Sequence, residues 1–367
     1  MRYINKYLRN LRPYSPASHK IWSVPPSERS SILKLDWNEA TVPPSPAVNR
    51  AVSELLDTPG FFNLYPATFN AELMQELSRY TGLPEENIQY FASSDSLHEY
   101  IAKLYIAPGD PVMILWPSYD NFRLTAEAHG ARVYYSELDE DFAFSPDSFM
   151  RDIRSFRPSL VYICNPNNPT GTYIEPGILE KLIAANPDTM FVIDEAYIEF
   201  AGESSNPLVL KHDNMLVTHT MSKAFALANF RFGYLVSCEG NIKDISGIRN
   251  SKNITTFAQT AVIAALSDAG YMKSYAEEVC RARGQFTASV NSLFAEKLLA
   301  YPSRGNFVLV RCIESELKAG IIAGLEEENI FVRNVSQSES VHDCFRVTIG
   351  TCGQMQMVLD ALRKIIL

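Results

Sequence analysis

The stretch MLVTHTMSKAFALANFR, residues 215–231, joins a short apolar run to a lysine and an arginine. The run Met215–His219 is continuous rather than alternating, which is typical of a strand buried on both faces of a parallel sheet. Similar runs occur at Val112–Trp116, Leu160–Cys164 and Met190–Ile193. Apolar residues at helical spacing occur within 71–80 and 97–105. The pattern predicts an α/β fold with a mostly parallel central sheet flanked by helices.

Lys223 lies directly after this strand, where an unpaired ammonium group is costly to bury. A carbonyl compound would remove that cost, because a desolvated lysine has a lowered pKa and readily forms a Schiff base. Thr220, Ser222 and Arg231 would then offer two hydroxyls and a guanidinium to a phosphate group. A surface lysine at a helix N-terminus is the alternative interpretation of the same residues.

Four further segments fall at the ends of predicted strands or the start of a helix, where open α/β sheets bind ligands. Ser93–Ser96 precedes a helix expected to start near Leu97, so it would either face an anion or only cap that helix. Asp194 ends an apolar strand, and it is either a ligand-binding acid or a helix cap. The dense turn sequence at residues 165–171 is a binding loop or a plain one. Tyr119 either lies on a flat ring or belongs to the core.

The length and composition bound the domain organisation. A chain of 367 residues with 46% hydrophobic residues predicts a folded protein of about two domains. We expect a Pro- and Ser-rich N-terminal arm over residues 1–45, a large domain over 46–250 and a smaller C-terminal domain over 251–367. In the last of these, the pattern predicts helices at 254–267 and 284–299 and strands at 306–311 and 345–349.

The charge and the cysteines bound the partners and the location. Lys and Arg number 33 against 42 Asp and Glu, a net charge of −9, which argues against nucleic acid or an anionic membrane as the main partner. The chain shows no secretory signal and no membrane-spanning run, and its six cysteines lack CxxC spacing. We therefore expect a cytoplasmic protein with reduced core thiols. The G-x-G-x-x-G, Walker A, G-x-S-x-G and HExxH motifs are absent, and we expect no metal.

Taken in chain order, the segments resemble the pyridoxal-phosphate-dependent aminotransferases of fold type I, within the class I and II family, and most of all the histidinol-phosphate aminotransferase group. The resemblance rests on Asn-Pro-Thr-Gly at 168–171, Asp-Glu-Ala-Tyr at 194–197, and Ser-Lys at 222–223 with Arg231 eight residues beyond the lysine. It extends from Arg12-Pro13-Tyr14 to the stretch 346–351, nearly the whole chain. It implies a large cofactor-binding domain with a mostly parallel central sheet, and a smaller C-terminal α/β domain.

The resemblance also implies a role for each matching residue. Lys223 would hold pyridoxal 5'-phosphate covalently and act as the catalytic base, Asp194 would pair with the pyridinium nitrogen, and Tyr197 would bond the phenolic oxygen. The further cofactor contacts that it implies are Ser94, Asp95, Tyr119, Asn168, Thr220, Ser222, Arg231 and, from the second subunit of a homodimer, Tyr65. The substrate contacts that it implies are Arg346 for the α-carboxylate, Arg333 for a phosphate or distal acid, and Tyr14 and Asn38 at the pocket border.

Three departures from the family pattern leave the substrate open. They are Ser94-Asp95-Ser96 where the family commonly has Ser-Asp-Glu, Asn38-Glu39-Ala40-Thr41 where it has Asn-Glu-Asn-Pro, and Cys352-Gly353 where it has Arg-Glu. The first substrate pair that the resemblance implies is histidinol phosphate and imidazole acetol phosphate, with glutamate and 2-oxoglutarate as the partner pair. Another small phosphorylated carbonyl compound of a specialised biosynthetic pathway is the alternative.

Two other activities are weighed against amino transfer. A decarboxylase similar to threonine-phosphate decarboxylase would share nearly all of these motifs, and release of carbon dioxide would distinguish it. A transcription regulator built on the same fold would need an attached helix-turn-helix, and the Pro-broken residues 1–45 are too short for one.

Overall fold

The structure is a computed structural model that describes residues 3–9, 11–13, 20–336 and 338–366. The strands are β1 (Leu33–Leu35), β2 (Ile88–Phe91), β3 (Pro111–Trp116), β4 (Arg132–Glu137), β5 (Leu160–Cys164), β6 (Met190–Asp194), β7 (Met215–Thr220), β8 (Gly233–Ser237), β9 (Leu298–Ala300), β10 (Phe307–Cys312), β11 (Ile330–Asn334) and β12 (Cys344–Thr348). The helices are α1 (Lys20–Ser23), α2 (Pro46–Leu56), α3 (Ala71–Thr81), α4 (Ser94–Tyr105), α5 (Asn121–Ala128), α6 (Pro146–Phe156), α7 (Pro176–Ala184), α8 (Glu239–Ile248), α9 (Thr256–Ser267), α10 (Ala269–Leu293), α11 (Leu317–Glu327) and α12 (Cys352–Ile366).

A seven-stranded sheet in the order β2-β8-β7-β6-β5-β3-β4 forms the centre of the molecule. The strands from β7 to β4 pair in parallel, whereas β8 runs antiparallel to both β7 and β2. Strands β5, β7 and β8 are buried along their whole length, which explains their continuous apolar runs. The predicted α/β class is confirmed. Because the strands are parallel, the segments after β3, β5, β6 and β7 meet at one edge of the sheet.

A second sheet has five strands in the order β1-β11-β12-β10-β9. Its first strand, β1, comes from the N-terminal stretch and pairs in parallel with β11, and the remaining pairings are antiparallel. In the pairing of β11 with β12, Arg333 stands directly opposite Arg346. The sheet therefore brings the chain around residue 36 beside two arginines from the C-terminal part.

One predicted helix is wrong at both ends. The pattern over residues 284–299 indicated a helix, but α10 spans Ala269–Leu293 and the short strand β9 follows it. Buried side chains recur at helical spacing from Met272 to Val290, so the apolar face begins a dozen residues before the predicted start. The helix predicted over 254–267 corresponds to α9.

Two further properties bear on the expected location and thiols. Nowhere in the described part of the chain is a helix both long and apolar enough to cross a membrane. All six cysteines are free; Cys164, Cys312 and Cys344 are buried, and the other three are half-buried.

Candidate active site

A cleft of about 1690 Å³ lies between the carboxyl edge of the seven-stranded sheet and the strands β1, β11 and β12. The predicted site residues that line it are Asn38, Ser94, Asp95, Tyr119, Asn168, Asp194, Tyr197, Thr220, Ser222, Lys223, Arg231, Arg333 and Arg346. Tyr65 is not among the lining residues, and it is 82% exposed. Tyr14 lies outside the described residues. The cleft thus gathers segments that are widely separated in the sequence.

Lys223 follows β7 and reaches into this cleft. Its Nζ donates a hydrogen bond to the backbone carbonyl of Trp37 over 2.9 Å. Burial lowers the pKa of the Lys223 amine to about 8; the charge of Glu39 opposes this shift, and that of Arg346 adds to it. Near neutral pH, Lys223 therefore keeps a sizeable neutral fraction, the form that attacks a carbonyl or accepts a proton.

Asp194 ends β6 as a buried carboxylate. Its Oδ2 accepts a hydrogen bond of 2.7 Å from the Tyr162 hydroxyl, and its Oδ1 accepts one of 3.2 Å from the Ala196 amide. His98 Nε2 lies 3.7 Å from Oδ2. The two hydrogen bonds fix the orientation of the carboxylate inside the protein.

Tyr197 lies at the centre of a polar network in the cleft. Its hydroxyl accepts hydrogen bonds from Asn168 Nδ2 at 3.1 Å and Asn38 Nδ2 at 3.2 Å. The Asn168 carbonyl in turn accepts a hydrogen bond of 2.6 Å from Arg346 Nη1. Because both of its amide partners donate, the Tyr197 proton is available to an acceptor in the cleft. Burial raises the pKa of Tyr197, so it keeps that proton at physiological pH.

The N-terminus of α4 forms a second polar region. The helix begins at Ser94 rather than near Leu97, so Ser94 and Asp95 lie in its first turn and their amides belong to the unpaired helix end. A helix N-terminus at this position favours the binding of an anion there. On the other side, the Thr220 hydroxyl donates to Ser222 Oγ over 2.9 Å.

The Asp95 carboxylate is held by three side chains beside this helix end. It accepts hydrogen bonds from the Tyr119 hydroxyl at 3.0 Å, Asn121 Nδ2 at 3.1 Å and Arg231 Nη2 at 3.3 Å. The Arg231 guanidinium is therefore held at the N-terminus of α4, where it and the helix amides would act on the same anion.

Arg333 and Arg346 are directly opposite each other on neighbouring strands. Like charges in this arrangement destabilise a sheet unless something compensates for them. Arg346 is buried, and its Nη2 donates to the Asp36 carbonyl over 2.7 Å. The pair places two guanidinium groups, which suit carboxylate and phosphate oxygens, on one wall of the cleft.

A model of the family described as aminotransferase class I and II matches residues 30–364 of the chain. The chain belongs to this family. A dihydroxyacetone phosphate transaminase of Campylobacter jejuni is 41% identical to it over 98% of this chain and 96% of the relative. A histidinol-phosphate aminotransferase of Ruminiclostridium cellulolyticum is 31% identical over 91% of this chain and 92% of the relative. The structure of the histidinol-phosphate aminotransferase of Sinorhizobium meliloti in complex with pyridoxal 5'-phosphate aligns with a TM-score of 0.86 at 25% identity, covering 100% of this chain and 98% of that one.

These matches confirm the predicted family, fold type and enzyme class: the chain is a pyridoxal-phosphate-dependent aminotransferase. The side chains of the cleft fit that cofactor chemically. Lys223 has an amine with a lowered pKa, Asp194 is a buried carboxylate for a ring nitrogen, and the Tyr197 hydroxyl has a proton for a ring oxygen. The helix end at Ser94, together with Arg231, fits a phosphate.

Several polar residues of this aminotransferase site escaped the sequence analysis. Tyr162 and His98 stand within apolar patterns, so they were indistinguishable from core residues. At the other side of the cleft, Lys34 lies over the Trp37 ring and forms ion pairs with Asp36, at 2.9 Å, and with Glu39. The strand that carries Lys34 is only three residues long and was not predicted from the sequence, so nothing pointed to that cluster.

Proposed function

We propose that this aminotransferase moves the amino group of glutamate onto a small phosphorylated ketone, with dihydroxyacetone phosphate as the first acceptor to test. The observation that carries the proposal is the facing pair Arg333 and Arg346 on the cleft wall. One guanidinium would bind the α-carboxylate of the amino donor, and the other would bind the phosphate of the acceptor or the distal acid of the donor.

The choice among acceptors rests on the relatives. The dihydroxyacetone phosphate transaminase is more similar to this chain, at 41% identity, than the histidinol-phosphate aminotransferase at 31%. The departures at Ala40, Thr41 and Cys352 also favour an acceptor other than the one first implied by the resemblance. Imidazole acetol phosphate is therefore the second candidate.

In the proposed mechanism, this chain's own residues hold the reactants and move one proton. Pyridoxal phosphate, when bound, supplies an aldehyde that links to amines and a ring that draws electrons from the substrate. The neutral Lys223 Nζ would take the proton from the substrate Cα and later deliver it to the cofactor carbon that had carried the aldehyde oxygen. Asp194 would keep a negative charge beside the ring nitrogen. Tyr197 and Asn168 would hold the phenolic oxygen.

The remaining predicted contacts complete the proposed site. The amides of Ser94 and Asp95 and the side chains of Thr220, Ser222 and Arg231 would bind the cofactor phosphate, and Tyr119 would cover the ring. Asn38 and Tyr14 would border the substrate.

A homodimer would supply the last cofactor contact, Tyr65. The segment around it exposes Phe62, Leu64, Tyr65 and Phe69, at 64% to 82% of their surface, an apolar patch that fits a protein interface. We also propose the division into an arm, a large domain and a small domain at residues 45 and 250, a cytoplasmic location, and a biosynthetic role.

A half-reaction tests the substrate. The enzyme carrying the amine form of the cofactor is mixed with dihydroxyacetone phosphate, imidazole acetol phosphate or unphosphorylated dihydroxyacetone, and the return of the visible cofactor absorbance is followed. We expect the highest kcat/KM with dihydroxyacetone phosphate, and a loss of about tenfold or more without the phosphate, since bonds to charged groups contribute about 1.5–3 kcal/mol. Arg333→Gln should remove most of that difference, whereas Arg304→Gln, at an exposed position outside the cleft, should keep it. Equal rates with and without the phosphate would overturn the proposal.

A further inference from the structure

Asp194 lies beside two buried polar side chains, those of Tyr162 and His98, that the proposed reaction does not use. Tyr162 on β5 and His98 on α4 are both 0% exposed, and Asp194 is 3% exposed. The surrounding core is mostly apolar, with Thr218 as a polar neighbour. Polar groups placed so deep have a structural cost unless their hydrogen bonds are made, so the contacts of these two residues identify what they do.

The Tyr162 ring is fixed in one orientation. It stacks on Phe122 with ring centroids 4.2 Å apart and an angle of 8°, and His98 packs edge-on against it at 5.6 Å. Cys164 is the register partner of Asp194, so Tyr162, two residues earlier on β5, projects from the same face of the sheet. The hydroxyl then donates to Asp194 Oδ2 over 2.7 Å.

His98 contributes a further donor near the same carboxylate oxygen. Its Nε2 lies 3.4 Å from Thr218 Oγ1 and 3.7 Å from Asp194 Oδ2. Its Nδ1 has no hydrogen-bond partner among the described residues. A proton on Nδ1 would be buried without an acceptor. The tautomer with its proton on Nε2 avoids this, and it directs the proton toward Thr218 and Asp194.

We propose that Tyr162 is a positioning residue that acts through Asp194: its hydroxyl keeps the carboxylate ionised and aimed at the ring nitrogen, so that the shared proton resides on the nitrogen. His98 supports the same oxygen from the side. Hydrogen bonds to a carboxylate lower its affinity for a proton. Removing the Tyr162 hydroxyl therefore shifts the proton from the ring nitrogen toward Asp194. This inference rests on the proposed placement of the cofactor beside Asp194.

The test is the nitrogen-15 NMR shift of the ring nitrogen, recorded on holoenzyme reconstituted with cofactor labelled at that atom. In the wild type we expect the shift of a protonated ring. In Tyr162→Phe, which keeps the stacked ring, we expect a clear movement toward the unprotonated value, with kcat lowered about tenfold and KM little changed, as for the loss of one hydrogen bond to a charged group. His98→Gln, which keeps an N–H donor, should move the shift less.

Tyr90→Phe is the matched control, because it removes another buried hydroxyl, whose partner is the Thr68 carbonyl at 3.5 Å. It should leave the ring nitrogen shift unchanged. A folded Tyr162→Phe variant with the wild-type shift would overturn the inference, even if that variant were less stable. An unprotonated ring in the wild type would instead overturn the proposed placement of Asp194, and the inference with it.

Discussion

Ser93 has a backbone conformation that side chains rarely adopt. Its φ of 88° and ψ of 158° lie in a region used almost only by glycine, yet it caps α4 by accepting a hydrogen bond from the Ser96 amide. Strain of this kind costs about 1–3 kcal/mol, whereas the loss of a serine cap to glycine costs only about a few tenths. The strained position holds the helix end that faces the cleft.

We therefore expect Ser93→Gly to stabilise the protein relative to a matched change at Ser145. Ser145 caps α6 in the same way, but with an ordinary φ of −107°. Both substitutions raise the conformational entropy of the unfolded chain by the same amount, so the difference between their effects on the free energy of unfolding reports the strain at Ser93. We expect a difference of about 1 kcal/mol or more in favour of Ser93→Gly. Urea unfolding measures it. Equal effects at the two positions would show that Ser93 is not strained.

The lowered pKa of Lys223 sets how fast the enzyme captures its cofactor. Burial shifts this pKa from the ordinary range down to about 8, and only the neutral amine attacks the aldehyde. The rate of covalent capture by cofactor-free protein should rise with pH and level off above about 8. Stopped-flow absorbance follows the capture, and pyridoxine phosphate, which lacks the aldehyde, is the control for binding alone. A rate that keeps rising up to the pH range in which a free lysine titrates would show that the pKa of Lys223 is not lowered.

At the scale of elements, β8 and α4 approach each other closely at Gly233. A Cβ on this residue would lie 2.5 Å from the Ser94 amide nitrogen and 2.9 Å from the His219 carbonyl. Both obstacles are backbone atoms, so the helix end has to move. The anion site that we place at Ser94 therefore depends on the absence of a side chain in the neighbouring strand.

Gly233→Ala should accordingly lower stability by about 1–3 kcal/mol and weaken cofactor affinity. Gly247→Ala, in α8 with open space around it, is the control and should be neutral or stabilising. Thermal unfolding and a cofactor titration measure the two effects. If both variants bound cofactor equally well, the close contact would have no part in shaping the site.

The same elements show which parts of the fold were predictable. The continuous apolar run Leu160–Cys164 coincides with β5, and the other three predicted strands of the parallel sheet differ from β3, β6 and β7 by one residue at one end. The antiparallel strands β2 and β8 and the pairing of β1 with β11 were not anticipated, because pairing between distant segments leaves no periodic signal in a single sequence. The start of α4 was misplaced because serine and aspartate are as common in loops as in the first turn of a helix.

The candidate site divides in the same way. Asp194 ends a strand, Lys223 and Arg231 come after the next one, and these positions predicted that the three charged residues meet. Tyr162 and His98 could not be recognised, since an aromatic or histidine in an apolar pattern usually belongs to the core. The pairing of β5 with β6 brings Tyr162 to Asp194, and the packing of α4 against the sheet brings His98 near it.

At the scale of the whole molecule, the net charge of the chain says little about the charged side chains inside the cleft. The chain carries −9 overall, yet Lys223, Arg231, Arg333 and Arg346 line one cleft between the two sheets. These four cations can pair with a phosphorylated cofactor and anionic substrates, and carboxylates such as Asp95 and Asp194 line the same cleft. The two sheets supply different parts of it, which explains why its residues are scattered along the sequence.

The stability of the whole fold should depend on pH through Glu195. This carboxyl is buried, accepting hydrogen bonds from Ser204 Oγ at 2.5 Å and the Ser205 amide at 2.7 Å, and burial raises its pKa from 4.5 to about 7. A raised pKa contributes stability that is complete below about 4.5 and lost as the pH rises through about 7. Glu195→Gln removes this titration. As the pH rises through that window, the free energy of unfolding of the wild type should therefore fall relative to that of the variant.

Urea unfolding at a series of pH values tests this, with Glu203→Gln at an exposed position as the control. A difference between Glu195→Gln and the wild type that stays constant with pH would rule out Glu195 as the titrating group.

The lysine that carries the cofactor can be located chemically. Borohydride reduction of the holoenzyme fixes the covalent link, and peptide mass spectrometry then identifies the modified residue. We predict a single modified peptide with the added mass on Lys223, and none in Lys223→Ala. Modification of another lysine, such as Lys34 in the same cleft, would show that Lys223 does not carry the cofactor.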